Sequence, residues 1–376
     1  MFQAHHRLSL RTRLIALPWL LIGVLLLIGA MGTATLYSVA GGSFDPWGGR
    51  HATRLALGLL LAVACAAVPV NVWRSAAAPI YIVALALLAA VPLIGNEALG
   101  ARRWLLVAGV SIQPVEITKV ALVLALAQLY ATLGNATAPS RPHWVLLALA
   151  MIALPVALTV KQPDLGSGLL LAGVGLGLMF LAGVSLWYFL AGAAGLAALV
   201  PFAPTLLHDY QWRRIEVFLD PERDPLGAGY HIAQAKIALG AGGMFGQGYL
   251  KGTQSQLDFV PEKMTDFIFV AVAEEWGFAG AAAVLCAYTL AVVMTFVMAL
   301  RANDTFARIA IGGLALSLSI YVVINVAMVT GLVPVVGVPL PLMSYGGTSI
   351  VTMMVALGVA MSAHVDRKIG AVRGRH

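Results

Sequence analysis

Residues 261–300, PEKMTDFIFVAVAEEWGFAGAAAVLCAYTLAVVMTFVMAL, begin in a polar loop and continue as a long apolar run. A helix needs about 20 mainly apolar residues to cross the hydrocarbon of a bilayer, and this run exceeds that length. Asp266 lies at its edge, and Glu274 and Glu275 lie inside it. Because a carboxylate beside hydrocarbon is costly, we expect the functional chemistry at this junction.

The composition extends the membrane prediction to the whole chain. Of the 376 residues, 60% are apolar and 10% are charged, and the mean hydropathy is +0.91. Soluble domains carry about 25% charged residues. We therefore predict an all-α polytopic membrane protein with a single domain, residues 1–376. A window of about 20 residues gives about ten transmembrane spans, near residues 14–39, 54–70, 77–95, 114–133, 144–161, 166–183, 186–206, 267–299, 306–332 and 345–364.

Basic residues indicate the orientation of these spans. Arg7, Arg11 and Arg13 precede the first span, which we interpret as a retained signal anchor, and Arg367 and Arg375 follow the last. Since cytoplasmic segments favour Lys and Arg, ten spans predict that both termini are cytoplasmic. The formal charge of +7 is explained by contact with anionic membrane lipid, and we predict no nucleic-acid partner.

Two regions interrupt the apolar pattern. Residues 207–266, between spans seven and eight, include eight of the sixteen acids and are predicted to form a partly helical extracytoplasmic cap. Within the cap, residues 230–239 have the spacing of an amphipathic helix. Residues 333–347 contain three prolines and three glycines. Their backbone must be buried in protein or line a cavity, because it cannot form an ordinary helix within lipid.

Two other patterns predict no catalytic role. The glycines from Gly240 to Gly248 lie outside any βαβ unit, so they do not predict nucleotide binding. Cys65 and Cys286 lie inside apolar spans, where small buried hydrophobic residues are expected. They predict neither a disulfide nor a thiolate metal site.

The acids at the outer end of the eighth span are the strongest catalytic candidates. Asp266 follows Glu262 by four residues, so one helical face could carry both carboxylates. Burial and a like charge would raise the proton affinity of Asp266 and suit it to act as a general base. The alternative is an acid stabilised at a helix N-terminus. Glu274 and Glu275 either face a functional cavity or hydrogen-bond a broken neighbouring helix.

Three ionisable residues on other spans have two interpretations each. Asp164, between the fifth and sixth spans, either caps the following helix or holds substrate or a divalent cation. Glu116 and Lys119 are three residues apart at the start of the fourth span. They form either a structural ion pair or, through Lys119, a contact to a phosphate.

Cations on the same outer side are candidates for binding a diphosphate. Arg102 and Arg103 precede Trp104, a combination that suits phosphate capture at the headgroup level but is also typical of interfacial anchoring. In the cap, the further candidates, which solvation of the surface explains equally well, are Arg213, Arg214 and Lys236.

The chain also carries a set of longer motifs. They are Gln162-Pro163-Asp164-Leu165-Gly166, Phe218-Leu219-Asp220-Pro221, Asp224-Pro225-Leu226-Gly227, Gly229-Tyr230, Pro261-Glu262, Thr265-Asp266-Phe267-Ile268-Phe269, Pro334-Val335-Val336-Gly337-Val338-Pro339-Leu340-Pro341 and Ser344-Tyr345-Gly346-Gly347. In these motifs, and from about residue 100 to the C-terminus, the chain resembles the SEDS family of bacterial cell-wall polymerases. Short termini and the form of the cap favour the elongation branch of this family over the division branch.

The resemblance implies a ten-helix glycosyltransferase of the bacterial cytoplasmic membrane that polymerises lipid II on the outer face. It also implies a partner, a class B penicillin-binding protein that cross-links the strands as a transpeptidase. The essential aspartate of the family corresponds to Asp266. Other important family positions correspond to Asp164, Glu116, Lys119 and Trp104.

The matched motifs also contain further candidates and two departures from the family pattern. Glu262 and Ser344 are additional substrate-binding candidates. Ala235 stands where many relatives have Ser, and Lys263-Met264 replaces a commoner pair that contains His. We therefore do not expect these departing positions to be necessary for catalysis.

The chemistry of the residues fits this resemblance. Undecaprenyl diphosphate is a stable leaving group and needs no proton donor, unlike the alcohol released in glycoside hydrolysis. One base, Asp266, would therefore suffice. Arginine, lysine or a divalent cation, Mg²⁺ or Mn²⁺, would stabilise the departing diphosphate, and the sequence assigns no metal ligands.

Two alternative functions use the same residues differently. A lipid II flippase would also need intramembrane charges and broken helices, but the polar residues of this chain crowd one face. A non-catalytic scaffold that recruits a penicillin-binding protein leaves Asp266 unexplained.

Overall fold

The computed structural model describes residues 10–98, 101–107, 109–133, 138–206, 209–220, 224, 227–260 and 262–373. Almost all of these residues are helical or connect helices, which confirms the all-α membrane fold. Some residues named above lie outside the described ranges. They are Arg7, Pro221, Pro225, Leu226, Pro261 and Arg375.

Within the described ranges, nine helical segments are long and apolar enough to cross a membrane. They contain α2 (Trp19–Val39), α3 (Gly48–Ala67), α4 (Val70–Ile94), α5 (Pro114–Thr132), α6 (Pro142–Val160), α8 (Leu186–Leu199), α13 (Ile268–Leu300), α14 (Thr305–Val329) and α15 (Thr348–Arg373). The apolar helix α7 (Leu165–Leu181) has 17 residues, which gives it a length of roughly 25 Å. It corresponds to the sixth predicted span.

The remaining helices are short. One, α1 (Leu10–Ile15), precedes the first span, and α9 (Ala203–Leu206) follows α8. The other three belong to the cap and are α10 (Asp209–Leu219), α11 (Ala228–Ala241) and α12 (Thr253–Gln256). Helix α11 confirms the helical spacing predicted for residues 230–239.

A small sheet between α4 and α5 was not predicted. Its strands β1 (Asn96–Ala98), β2 (Ala101–Val107) and β3 (Val110–Ile112) are antiparallel and lie in the order β1-β2-β3. Strand β2 alternates little in hydrophobicity, because Arg102, Arg103 and Trp104 are consecutive. The two-residue periodicity that indicates a strand is therefore absent.

The centre of the bundle is formed by α5, α14 and α15, which are mostly buried, whereas α8 buries none of its residues. Residues 333–347, called the broken segment below, connect α14 to α15 without a helix. This segment packs against the start of α7. A Cβ atom added to Gly166 would lie 2.3 Å from the carbonyl oxygen of Val336, so only glycine permits this contact.

The two ends of the described chain lie on the same side of the bundle. Arg13 Nη2, in α1, forms an ion pair of 2.5 Å with Asp366 Oδ1, near the end of α15. The other oxygen of this carboxylate accepts a hydrogen bond of 2.7 Å from the backbone N–H of Val70. An even number of spans, as predicted, is consistent with this contact.

The cap is joined to a kink in α13. Gly277 has φ +67° and interrupts the helix, and residues 243–248 of the cap pair with the exposed backbone there. Gln247 N–H donates to the carbonyl of Glu274 at 2.9 Å, and Phe278 N–H donates to that of Gly243 at 2.9 Å. Gly242 and Gly246 therefore permit close backbone packing, because an added Cβ atom would lie 2.0 Å and 2.1 Å from carbonyl oxygens of α13.

Candidate active site

Asp266 is the last residue of the cap turn before α13, whose N-cap is Phe267. The backbone N–H groups of Thr265 and Phe267 both donate to the carbonyl of Glu262, at 3.0 and 3.2 Å. The Glu262 carboxylate also accepts a hydrogen bond of 2.7 Å from Thr265 Oγ1. This turn holds the two acids, Glu262 and Asp266, on the same side of the junction.

The backbone around Asp266 is fixed to α14 and to the broken segment. Asn325 Nδ2 donates to the carbonyl oxygens of Asp266 at 2.8 Å and of Val338 at 2.7 Å. Ser344 Oγ donates to the carbonyl of Thr265 at 2.6 Å and accepts from a backbone N–H of the broken segment at 2.7 Å. Ser344 thus supports the site through the backbone.

The broken segment also borders the Asp266 carboxylate directly. Gly337 has φ +73°, a conformation that favours glycine. A Cβ atom at this position would lie 3.3 Å from Asp266 Oδ2. The absence of a side chain at Gly337 therefore leaves room beside the carboxylate.

The surroundings of Asp266 raise its pKa to about 7. Burial is the largest cause, because it disfavours the ionised form. The negative charges of Glu262 and Asp164 act in the same direction, and the positive charge of Arg214 opposes them. A carboxyl group with this pKa is ionised in a large fraction of molecules near neutral pH, so it can accept a proton and release it again after the reaction.

Asp164 is the N-cap of α7. Its Oδ1 accepts a hydrogen bond of 3.1 Å from Ser167 N–H, and its Oδ2 lies 3.4 Å from Gln113 Nε2. The capping interaction predicted from the sequence is therefore present. Because α7 packs on the broken segment, Asp164 is also close enough for its charge to act on Asp266.

Glu116 and Lys119 form the predicted ion pair, with 2.8 Å between Lys119 Nζ and Glu116 Oε1. Tyr321 of α14 completes the group, donating to Glu116 Oε2 at 2.8 Å and lying in contact with Lys119. Both charged side chains are buried. The arrangement links α5 to α14 and uses Lys119 structurally, so a direct phosphate contact by Lys119 would require this group to open.

Arg102, Arg103 and Trp104 lie on β2. Arg103 donates from Nε to the carbonyl of Gln162 at 3.3 Å and from Nη2 to that of Pro163. It therefore supports the loop that carries Asp164. Arg102 is exposed and Trp104 is partly buried.

The cap cations have different surroundings. Arg214 donates to the carbonyl of Val335 at 3.1 Å and is the cation whose charge lowers the pKa of Asp266. Arg213 is exposed and lies 3.5 Å from Asp224 Oδ1. Lys236 is exposed and packs against Gly331 after α14. Of these three cations, Arg214 is the one that both contacts the broken segment and acts through its charge on Asp266.

The acids inside α13 have structural contacts. Glu274 is completely buried and accepts hydrogen bonds from Gln254 N–H at 2.6 Å, Ser255 N–H at 3.0 Å and Ser255 Oγ at 2.6 Å. It thereby caps α12. Glu275 accepts a hydrogen bond from Ser38 Oγ in α2. Lys263, which departs from the family pattern, is buried and bonded to the Ser255 carbonyl.

Two residues of the site were not identified from the sequence. Asn325 and Tyr321 both lie in α14, which is otherwise apolar around them. A polar residue within a membrane span needs a partner. This principle applies to Asn325 as it does to Glu274. Tyr321 carries no comparable indication, because tyrosine is common in apolar segments.

No three His, Cys, Asp or Glu side chains converge to form a metal cluster in the part of the chain that the structure describes. Asp266 and Asp164 are the carboxylates of the site beside the broken segment. Mg²⁺ is commonly held by one or two carboxylates together with phosphate oxygens of the substrate. The residues present fit such a cation only if the substrate supplies part of the ligand set.

The chain is similar to a known protein family and to known proteins. Residues 10–369 match the family described as "FTSW_RODA_SPOVE: Cell cycle protein". The peptidoglycan glycosyltransferase MrdB of Escherichia coli K12 is 44% identical over 324 residues, which are 85% of this chain and 86% of MrdB.

Two solved structures share the fold. One, described as "Structural coordination of polymerization and crosslinking by a peptidoglycan synthase complex", is 33% identical with a TM-score of 0.82 over 93% of this chain and 98% of that chain. The rod shape determining protein RodA of Thermus thermophilus is 29% identical with a TM-score of 0.70 over 93% of this chain and 97% of that chain. The chain belongs to the SEDS family, which includes FtsW, RodA and SpoVE.

Proposed function

We propose that this chain is a peptidoglycan glycosyltransferase that polymerises lipid II into glycan strands during cell elongation, with Asp266 as the general base. The enzyme class follows from family membership and from 44% identity with a peptidoglycan glycosyltransferase across most of both chains. The similarity to RodA supports the elongation role.

The observation that carries the catalytic assignment is the environment of Asp266. Its carboxylate lies at the cap junction beside Gly337, and its pKa is about 7 because of burial and the neighbouring acids. A group with that pKa is poised for general base catalysis near neutral pH. The height of the residue, just before α13 begins, suits a sugar diphosphate whose lipid tail stays in the bilayer.

The reaction needs one proton acceptor. Asp266 removes the proton from the GlcNAc 4-hydroxyl of the acceptor, and the resulting oxygen attacks C1 of the donor MurNAc. The bond from C1 to the diphosphate oxygen breaks, so undecaprenyl diphosphate leaves with the electron pair and the configuration at C1 inverts. No acid is required, because the diphosphate is already stable as an anion.

The departing diphosphate requires positive charge. Arg214 is the best placed side chain, since it lies between the cap and the broken segment and acts electrostatically on Asp266. Arg102 and Lys236 are exposed cations that could contact the phosphates as they enter. A divalent cation, Mg²⁺ or Mn²⁺, bound to the diphosphate would supply further charge stabilisation, with Asp164 as its protein ligand. Loss of polymerisation in a chelator and its recovery with added Mn²⁺ would support such a cation.

The orientation that this function needs has the cap outside the cytoplasmic membrane and both termini in the cytoplasm. The contact between Arg13 and Asp366 supports an even number of spans. Cysteine placed at the exposed residue Lys236 should react with an impermeant maleimide in intact spheroplasts. Protection there, with labelling only after lysis, would contradict the orientation.

A class B penicillin-binding protein is the proposed partner. The similarity to a solved peptidoglycan synthase complex in which polymerisation and cross-linking are coordinated supports this assignment. Such a transpeptidase would use the nascent strands as they leave the cap.

The function is tested with the purified protein and its transpeptidase partner in detergent, supplied with labelled lipid II. We expect a ladder of glycan strands on a gel, with release of undecaprenyl diphosphate. Transport of lipid II across liposomes without any polymer would contradict the proposal and support a flippase. Neither polymer nor transport, with a stable complex, would indicate a scaffold.

A further inference from the structure

Asn325 is a completely buried amide inside α14. Transfer of an amide to an apolar interior without hydrogen bonds costs about 2–7 kcal/mol, so its contacts define its role. Its Nδ2 donates to the backbone carbonyl of Asp266 at 2.8 Å and to that of Val338 at 2.7 Å. An amide nitrogen has two hydrogens, and both are therefore used.

These two bonds connect elements that are distant in the sequence. Asp266 ends the cap, Val338 lies in the broken segment and Asn325 belongs to the central helix. Ser344 makes a second connection of the same kind, one residue away, between the Thr265 carbonyl and the broken segment. The backbone of the cap turn is thus attached twice to the segment that borders the Asp266 carboxylate.

The position of the carboxylate depends on this attachment. Gly337 is adjacent to Val338, and the space beside Asp266 Oδ2 is bounded by the backbone at Gly337. A slide of either backbone would change the direction of the carboxylate and its distances to Glu262 and Arg214. Misplacement of a reacting group by about 1 Å can cost about 100-fold in rate.

We infer that Asn325 is a positioning residue for the base: its amide fixes the backbone of Asp266 against the broken segment and so sets where the carboxylate meets the acceptor hydroxyl. This inference rests on the proposed role of Asp266. The carbonyl oxygen Oδ1 of Asn325 is buried and has no hydrogen-bond partner among the described residues. The residue therefore contributes through its two N–H groups.

Two substitutions remove those donors while keeping the size of the side chain. Asn325→Leu leaves the two carbonyls without a donor. Asn325→Asp keeps the shape more closely and places one oxygen atom, in the position of Nδ2, against both carbonyls. In its ionised form, its negative charge would act on the nearby base. Ser317→Ala is the matched control, because Ser317 is a buried polar residue of α14 two helical turns away that lies outside the site.

The experiment measures kcat and KM for lipid II, and the pH dependence of polymerisation, in complexes of equal partner content. We expect kcat to fall at least about 10-fold in both variants, with KM changed less than about threefold, because the amide acts on the geometry of the reacting groups. In Asn325→Asp the acid limb of the pH profile should move to higher pH, since a new like charge raises the pKa of the base. Ser317→Ala should match the unmodified protein.

Three outcomes would overturn the inference. The first is a kcat and pH profile like those of the unmodified protein in either variant. The second is an equal loss in Ser317→Ala. The third is failure of both Asn325 variants to fold, which would make the residue structural only. Asp266→Asn distinguishes failure of this inference from failure of the proposed function. If Asp266→Asn polymerises lipid II normally, Asp266 is not the base and the proposed function fails. If Asp266→Asn is inactive but both Asn325 variants are normal, only the positioning role is rejected.

Discussion

The pH dependence of polymerisation follows from the environment of Asp266. A base must be ionised to accept a proton, and the pKa of this carboxyl is about 7. On the acid side, kcat/KM should rise about tenfold per pH unit up to about pH 7 and then level off, since it reports the pKa of the free enzyme. An unperturbed aspartate, with a pKa of about 3.9, would give a flat profile over that range.

Substitutions of Glu262 and Arg214 test whether the charges around Asp266 set its pKa. Glu262→Gln removes a negative charge that raises the pKa of Asp266, so the midpoint should move to lower pH. Burial is the larger cause and Glu262 is exposed, so we expect a shift of about 0.5–1 unit. Arg214→Gln removes the opposing positive charge, so the midpoint should move to higher pH.

The assay is the initial rate of glycan formation from lipid II at low substrate concentration, between about pH 5 and pH 9. At about pH 6, Glu262→Gln should retain a larger share of its maximal rate than the unmodified protein. A flat profile in the unmodified protein would refute the argument. The argument would also be refuted if the midpoints of Glu262→Gln and Arg214→Gln shifted in the same direction. That result would mean that the charges around Asp266 do not determine the pH profile.

Three further predictions concern packing and stability. Gly166→Ala should reduce both thermal stability and polymerisation, because the new Cβ atom would lie 2.3 Å from a backbone oxygen of the broken segment. Gly173→Ala is the control and should be tolerated, since its Cβ atom would lie 3.6 Å from the nearest neighbouring atom. Equal melting temperatures of the two variants would contradict this prediction. Glu274→Ala should destabilise the protein by roughly 3 kcal/mol or more, because the completely buried carboxylate accepts three hydrogen bonds, two of them from Ser255. An unchanged thermal melt would count against it. Asp266→Asn should stabilise the fold by on the order of 4 kcal/mol above about pH 7 and by little near pH 4, because the pKa is raised from 3.8 to about 7 and each unit makes ionisation in the folded state costlier by about 1.4 kcal/mol. A stability difference that does not grow between about pH 4 and pH 7 would oppose the assigned pKa.

The membrane fold could be predicted closely because hydropathy reports the length of apolar segments. The ten predicted spans have counterparts, and the break at residues 333–347 follows from its prolines. The sheet that carries Arg102 and Arg103 could not be predicted, since its strands are short and lack alternation. Nor could the pairing of the cap with the kink at Gly277, because that contact depends on backbone geometry between distant segments.

The site was predictable in its chemistry but not in its connections. The capping contact of Asp164 and the pairing of Glu116 with Lys119 were predicted from the sequence, because each is set by local spacing. The amide of Asn325 was not identified, because its partners are backbone carbonyls far away in the sequence. Backbone acceptors have no pattern in a sequence, so contacts to them emerge only from the fold.

The central claim is that Asp266 is the base for glycan polymerisation. The most direct measurement compares the unmodified protein with Asp266→Asn, each purified with its transpeptidase partner, for polymerisation of labelled lipid II at about pH 7.5. Asparagine keeps the shape of the side chain and cannot accept the proton, so we predict a loss of at least about 100-fold in kcat with lipid II binding retained. A glycan ladder of normal intensity from Asp266→Asn would contradict the assignment.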